Sequence, residues 1–139
     1  MTANHSDVAP FEPMPAYRVY TGPDGETHAE AFAFPLGFGS PSLSALVPVN
    51  GIIFRRTKPG LDVDFHPAPR RQFVITIQGE GEIETSDGTR LPIGPGSIVL
   101  VEDTKETNTR GHITRGRGTA DRLSLFVPVP DDWTPPAAS

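Results

Sequence analysis

The 139-residue chain contains no cysteine, which removes disulfides, thiolate nucleophiles and thiolate metal ligands together. It also lacks a long hydrophobic run. Ile98-Val99-Leu100-Val101 is the longest clear one, far short of the roughly 20 residues that span a membrane. Positive charge is in deficit, with 12 Lys and Arg against 17 Asp and Glu for a net charge of −5. A general nucleic-acid binder needs a basic field to gather phosphates, so none is expected as a partner. Residues 1–11 are mostly polar and include Asp7 and Pro10. Without a basic n-region or an apolar h-region they do not read as a signal peptide, and the expected location is cytoplasmic, with no membrane partner. Three chemical signatures are missing as well: a Gly-rich phosphate loop with Lys-Ser/Thr, a G-x-S-x-G elbow and an H-E-x-x-H helix. For an enzyme, that leaves acid–base or metal-assisted chemistry.

Turn-formers are abundant. Gly 14 and Pro 16 together make 30 of the 139 residues, or about 22% against roughly 12% in average chains. They punctuate short Val-, Ile- and Phe-rich runs and leave little room for long helices. The length allows one domain. We divide it into an N-terminal arm (1–16, with Pro10, Pro13 and Pro15), a domain (17–129) and a Pro/Ala-rich tail (130–139, with Trp133).

Strands are expected over residues 17–21, 28–34, 50–57, 61–66, 71–78, 82–85, 98–102 and 122–129. A double turn at Gly22-Pro23-Asp24-Gly25 and a hairpin turn at Ser86-Asp87-Gly88 separate some of them. One helical turn fits residues 42–46, and residues 104–119 read as a long polar loop. About eight or nine short strands without a confident helix predict an all-β, antiparallel barrel or sandwich. Within 71–78, alternation puts Gln72, Val74 and Thr76 on one face, mixed as a cavity wall would be. Phe73, Ile75 and Ile77 lie on the other, which is expected to be buried. The even parity extends back to Arg70, Ala68 and His66.

The segment from Gly60 to Gly79 resembles the first motif of the cupin superfamily, which reads G, five residues, H-x-H, three or four residues, E, six residues, G. His66 stands on the first His position, Ala68 on the second and Gln72 on the Glu position, with the spacing kept throughout. The approach through Gly94-Pro95-Gly96-Ser97-Ile98-Val99-Leu100 is similar to that of the second motif. There Glu102-Asp103-Thr104 replaces P-x-G, and Thr107 falls on the His position. The chain looks most like the small single-domain bacterial cupins. The resemblance implies a jelly-roll barrel, often a homodimer, with a site in the barrel mouth. In metal-binding members three His and one Glu hold the ion.

Placed there, His66 is either a general base, a ligand for a divalent ion (Zn, Fe, Mn or Ni), or a pocket histidine bonded to a neighbour. Gln72 is an oxygen ligand, an orienting amide, or a satisfied strand glutamine. His112 is a second imidazole swung in from the loop, or a solvated one. Of Glu102 and Asp103, alternation turns one inward, and Glu102 is taken as the acid–base candidate beside His66. Arg70 and Thr76, on the inward parity, are ligand-binding candidates, with Arg70 suited to a carboxylate. Arg110, Arg115, Arg117 and Arg122 suggest a lid that recruits an anionic substrate, or a solvated loop. Three functions stay open: a cupin enzyme of isomerase, lyase or oxygenase type acting on a small, oxygen-rich or anionic molecule; a metal-free ligand-binding module; and a structural oligomer.

Overall fold

In the computed structural model, which describes residues 12–37 and 41–137, ten strands form two sheets. The strands are β1 (Met14–Thr21), β2 (Thr27–Phe34), β3 (Ile53–Thr57), β4 (Asp62–His66), β5 (Gln72–Gln78), β6 (Glu80–Thr85), β7 (Arg90–Ile93), β8 (Ile98–Val101), β9 (His112–Arg117) and β10 (Arg122–Pro128). One sheet has the order β2-β1-β8-β5-β10-β3 and the other β4-β9-β6-β7. The only helical element among the described residues is a 3-10 turn, Lys105–Thr107. No described helix is long and apolar enough to cross a membrane.

Both anticipated turns form. Gly25, at φ 80°, closes the β1–β2 hairpin, and Gly88, at φ 94°, closes β6–β7. These left-handed values are cheap only for glycine. The sheets are antiparallel except where Tyr17–Val19 of β1 runs parallel to Val99–Val101 of β8. β1 begins at Met14, and Ala16 is buried in the core, so residues 14–16 belong to the sheet rather than to an arm. Most of the expected arm, residues 1–11, lies outside the described residues.

The six-stranded sheet is apolar on both faces. Its inner face packs Val19, Val74, Val99 and Val101 against Ile83, Leu91 and Ile93 of the smaller sheet. Its outer face gathers Ala16, Phe32, Phe73, Leu100, Val127 and Val129 under Val47 and Trp133. The ring centroids of Phe73 and Trp133 lie 5.6 Å apart. This cover explains a correction on β5: Phe73 is buried and Ile75 half-buried, but Ile77, beyond the covering segments, is 55% exposed.

Two further expectations are overturned. Residues 42–46 form no helical turn. Instead the Gly37 N–H donates to the Leu43 carbonyl at 3.1 Å, and the Ser42 hydroxyl donates to the Gly37 carbonyl, closing a loop. Residues 104–119 are not one long loop, because β9 lies between β4 and β6 in the smaller sheet. Its charges are accommodated by alternation. Arg115 and Arg117 point outward onto Glu82 and Glu84 of β6, with Arg115 Nη1 to Glu84 at 2.8 Å and Arg117 Nη2 to Glu82 at 3.0 Å. Opposite charges across neighbouring strands support pairing that propensity alone would not favour. Hydrogen bonding to Glu84, against the opposing effect of burial, pushes the Arg115 guanidinium above its ordinary range.

Candidate functional site

A cavity of about 390 Å³ opens between the two sheets. Its walls are largely aliphatic: Leu61, Val63, Ala68, Val74, Ile83, Ile93 and Val101, with Phe126. The polar side chains on it are few: His66, Gln72, His112, Thr57, Thr114, Arg55 and Arg122. A concave apolar chamber with a small number of converging polar groups is the usual form of a small-molecule site.

His66 and His112 come together by register. They are direct cross-strand partners at the ends of β4 and β9, where the ladder shifts between Val63 and His66. Directly opposed residues of an antiparallel pair share a face, so both imidazoles reach the cavity, with ring centroids 4.6 Å apart. Gly111 makes this approach possible. Its φ is 86°, and a Cβ there would stand 1.9 Å from the His66 carbonyl oxygen. His112, expected in a loop, is a buried strand residue.

Each imidazole is held through Nδ1. His66 Nδ1 donates to the Asp64 backbone carbonyl at 2.8 Å. His112 Nδ1 donates to Asp103 Oδ2 at 2.6 Å. A carbonyl or a carboxylate on Nδ1 fixes the neutral ring as the Nδ1–H tautomer, leaving Nε2 with its lone pair. Asp103 is wholly buried, and its Oδ1 has no hydrogen-bond partner among the described residues. Among the described residues His112 is therefore the one side chain bonded to this carboxylate.

Glu102 is not the inward carboxylate. It turns to the outer side of the six-stranded sheet. There Arg18 donates to its Oε1, and Arg71 donates to Oε2 through Nε at 3.0 Å and Nη2 at 2.8 Å. Arg71 also holds the carbonyls of Pro130 and Trp133, so this cluster fastens the tail to the sheet. Asp103, the next residue, takes the inward place.

Gln72 is on the cavity wall and buried, but its Oε1 already accepts a bond from Arg70 Nη1 at 2.9 Å. Arg70 is exposed and off the wall, and it positions that amide. Thr76 shares the face of Gln72 and is buried, yet it does not line the cavity. For a metal ion the free donors are thus two imidazole Nε2 atoms and the remaining lone pair of Gln72. Ala68, buried on the wall, supplies none. No group of three His, Cys, Asp or Glu side chains among the described residues is placed to hold a metal, whereas catalytic zinc sites typically offer three protein ligands. Two imidazoles and an amide oxygen already bonded to Arg70 form a weaker donor set than three His and one Glu.

Of the four arginines grouped in the sequence, three lie away from the cavity. Arg115 and Arg117 are in outer ion pairs, and Arg110 stacks 4.2 Å over the Phe65 ring. Arg122 is the exception: it lines the cavity and is buried. A signal for it was present in the sequence. On β10 it shares parity with Ser124 and Phe126, opposite the apolar Leu123, Leu125 and Val127. No protein-family model matches this chain, and no curated protein matches it.

Proposed function

We propose that this chain is a single-domain, cupin-like small-molecule-binding protein. In this reading the ligand occupies the cavity between the sheets, and His66 and His112 act on it as a general base and acid. The observation that carries the reading is the pair of cross-strand imidazoles, each anchored through Nδ1, on the wall of an apolar chamber. An imidazole held in one tautomer, with its second nitrogen free, is set up to take or give a proton near neutral pH. Asp103 behind His112 holds the ring through Nδ1 and so orients Nε2, the positioning job of a buried carboxylate behind a catalytic histidine. An isomerase or lyase step of the proton-transfer kind suits these groups.

The in-register His66 and Gln72 support the cupin assignment, and two facing sheets are compatible with a jelly-roll barrel. A homodimer in the cytoplasm completes the reading. Exposed Phe54 and Leu46, 78% and 93% accessible, supply apolar surface for self-association. A second reading, a metal-free binding module without catalysis, is favoured by Ala68 on the second His position.

The test is elemental analysis of untagged protein before and after chelator, alongside small-molecule binding to His66→Ala and His112→Ala. The expected outcome is no stoichiometric metal in any form, with binding lost or turnover abolished in the variants while their fold is kept. Stoichiometric metal that disappears in His66→Ala overturns the metal-free acid–base reading in favour of a metal centre. Unchanged ligand binding and turnover in both variants overturn the site itself.

A further inference from the structure

Arg122 is a largely buried cation, 8% exposed, whose Nε and Nη1 have no hydrogen-bond partner among the described residues. No described carboxylate lies within ion-pair distance of it, although twelve such contacts occur elsewhere. Buried charges in proteins are nearly always paired or bonded to a ligand, because an isolated ion in an apolar interior is costly. Burial, followed by the nearby Arg55 charge, pushes the Arg122 guanidinium below its ordinary range. The neighbouring charge therefore aggravates the deficit.

The surroundings share that deficit. In the β3–β10 ladder Thr57 lies directly opposite Arg122, and Arg55 directly opposite Ser124. All four side chains consequently share the inner face. The Thr57 and Ser124 hydroxyls are also buried without a partner. Space for the guanidinium comes from the other sheet, where a Cβ on Gly81 would stand 2.6 Å from Arg122 Nη1. The guanidinium thus packs directly against the backbone of Gly81.

These observations fit one missing component. We propose that Arg122 anchors the carboxylate of a small organic acid, with the Thr57 hydroxyl, also on the cavity wall, as a further donor and the apolar cavity holding the acid's body. The inference rests on the cavity being the ligand site, and it specifies the ligand's chemical class. A monoanion fits better than a phosphate dianion. Arg122 is the buried cation on the cavity wall and matches one negative charge, whereas Arg55 beside it is exposed and its charge is screened by water. The planar fork of a guanidinium also matches a carboxylate bidentately. Arg55, at the exposed edge with its guanidinium 5.2 Å over the Phe126 ring, adds positive potential at the entrance.

The experiment compares wild type with Arg122→Met and Arg122→Gln at constant ionic strength. The probes are sodium acetate, hexanoate, benzoate and phenylacetate, the matching neutral amides, and inorganic phosphate. Thermal unfolding and calorimetric titration are the readouts, with His66→Ala run alongside. At least one carboxylate is expected to stabilise wild type saturably while its amide does not. Its half-saturation should weaken about ten- to a hundredfold in both Arg122 variants, the factor that follows from losing a charge-assisted hydrogen bond. Without ligand, Arg122→Met should melt no lower than wild type, since it removes an unpaired buried charge.

Four results overturn the proposal: no carboxylate response in wild type, a response confined to phosphate, ligand-free Arg122→Met melting well below wild type, or a carboxylate response that both Arg122 variants keep. A carboxylate response lost in His66→Ala but intact in both Arg122 variants retains the cavity as the ligand site and removes Arg122 as its anchor. The converse pattern supports the anchor and counts against the histidines.

Discussion

Glu102 and Asp103 are chain neighbours on opposite sides of one strand end, and their surroundings could hardly differ more. Glu102, on the outer side, receives bonds from Arg18 and doubly from Arg71, and Arg71 spends its remaining donors on tail carbonyls. Asp103, on the inner side, has His112 alone among the described side chains and keeps one oxygen without a described partner. The same contrast separates the arginines. Arg115 and Arg117 meet glutamates on the outer face of β9, while Arg122 meets none in the cavity. The outer charges Glu102, Arg115 and Arg117 are bonded and serve to hold strands and tail together. Inner polar groups are few and incompletely bonded. Groups whose hydrogen-bonding capacity is already spent have little left for a ligand, whereas under-bonded buried groups retain theirs.

The strongest way to break this contrast is to force the inner face apart. Gly111→Ala places a Cβ against the His66 backbone and demands a left-handed residue. It should cost about 3 kcal/mol or more in chemical denaturation. Loss of ligand binding should accompany it, since the two imidazoles can no longer stand opposite each other. A variant with wild-type stability would show that the β4–β9 approach is looser than described.

Glu102→Ala tests the outer side. It leaves Arg18 and Arg71 without their shared, nearly buried carboxylate. A loss of about 1–3 kcal/mol is expected, with cavity ligand binding unchanged. Proteolysis of the tail and Trp133 fluorescence should report its release. Impaired binding with the fold intact would restore Glu102 to the site.

The smallest effect lies at the surface, where His28 bridges Asp24 and Asp87 through its two nitrogens at 2.9 Å each. The hydrogen bond to Asp24 raises the His28 pKa above its ordinary 6.5. A group with a raised folded pKa contributes stability below its unfolded pKa and loses it as pH climbs through the folded value. The Asp24 pKa is lowered from 3.8, first by its bond with His28. At Asp87, burial acts upward, but bonds from Thr85 and Thr89 outweigh it and the pKa is also lowered. Their contributions are present above the unfolded pKa and fade as pH falls through the folded one. Wild type should therefore exceed His28→Gln in melting temperature near pH 5.5 and lose part of that advantage by pH 8. A difference independent of pH would exclude the pairing as its source.

Much of the strand framework was legible because it is written in local signals. Turn glycines at Gly25 and Gly88 mark the hairpins. The period-two pattern of 71–78 correctly placed Gln72 and Val74 on a cavity wall. Where reading failed, the deciding contact was remote. β9 looked like a loop because Arg115 and Arg117 are polar by themselves and become strand residues only beside Glu82 and Glu84, more than thirty positions away. Ile77 looked buried, but the segments carrying Val47 and Trp133 cover the sheet only as far as Phe73 and Ile75.

The sequence by itself determined the class of the protein: all-β, rich in turns, without thiols, and with His66 and Gln72 on one face of the chain. Alternation and turn chemistry are local, so they can be read from neighbouring residues. Only the tertiary structure decided which neighbour of the 102–103 pair faces inward, that His112 stands opposite His66, and that Arg122 is buried beside Gly81 without a counter-charge. Each of those outcomes depends on register between strands distant in the chain, where a shift of one residue exchanges inner and outer faces.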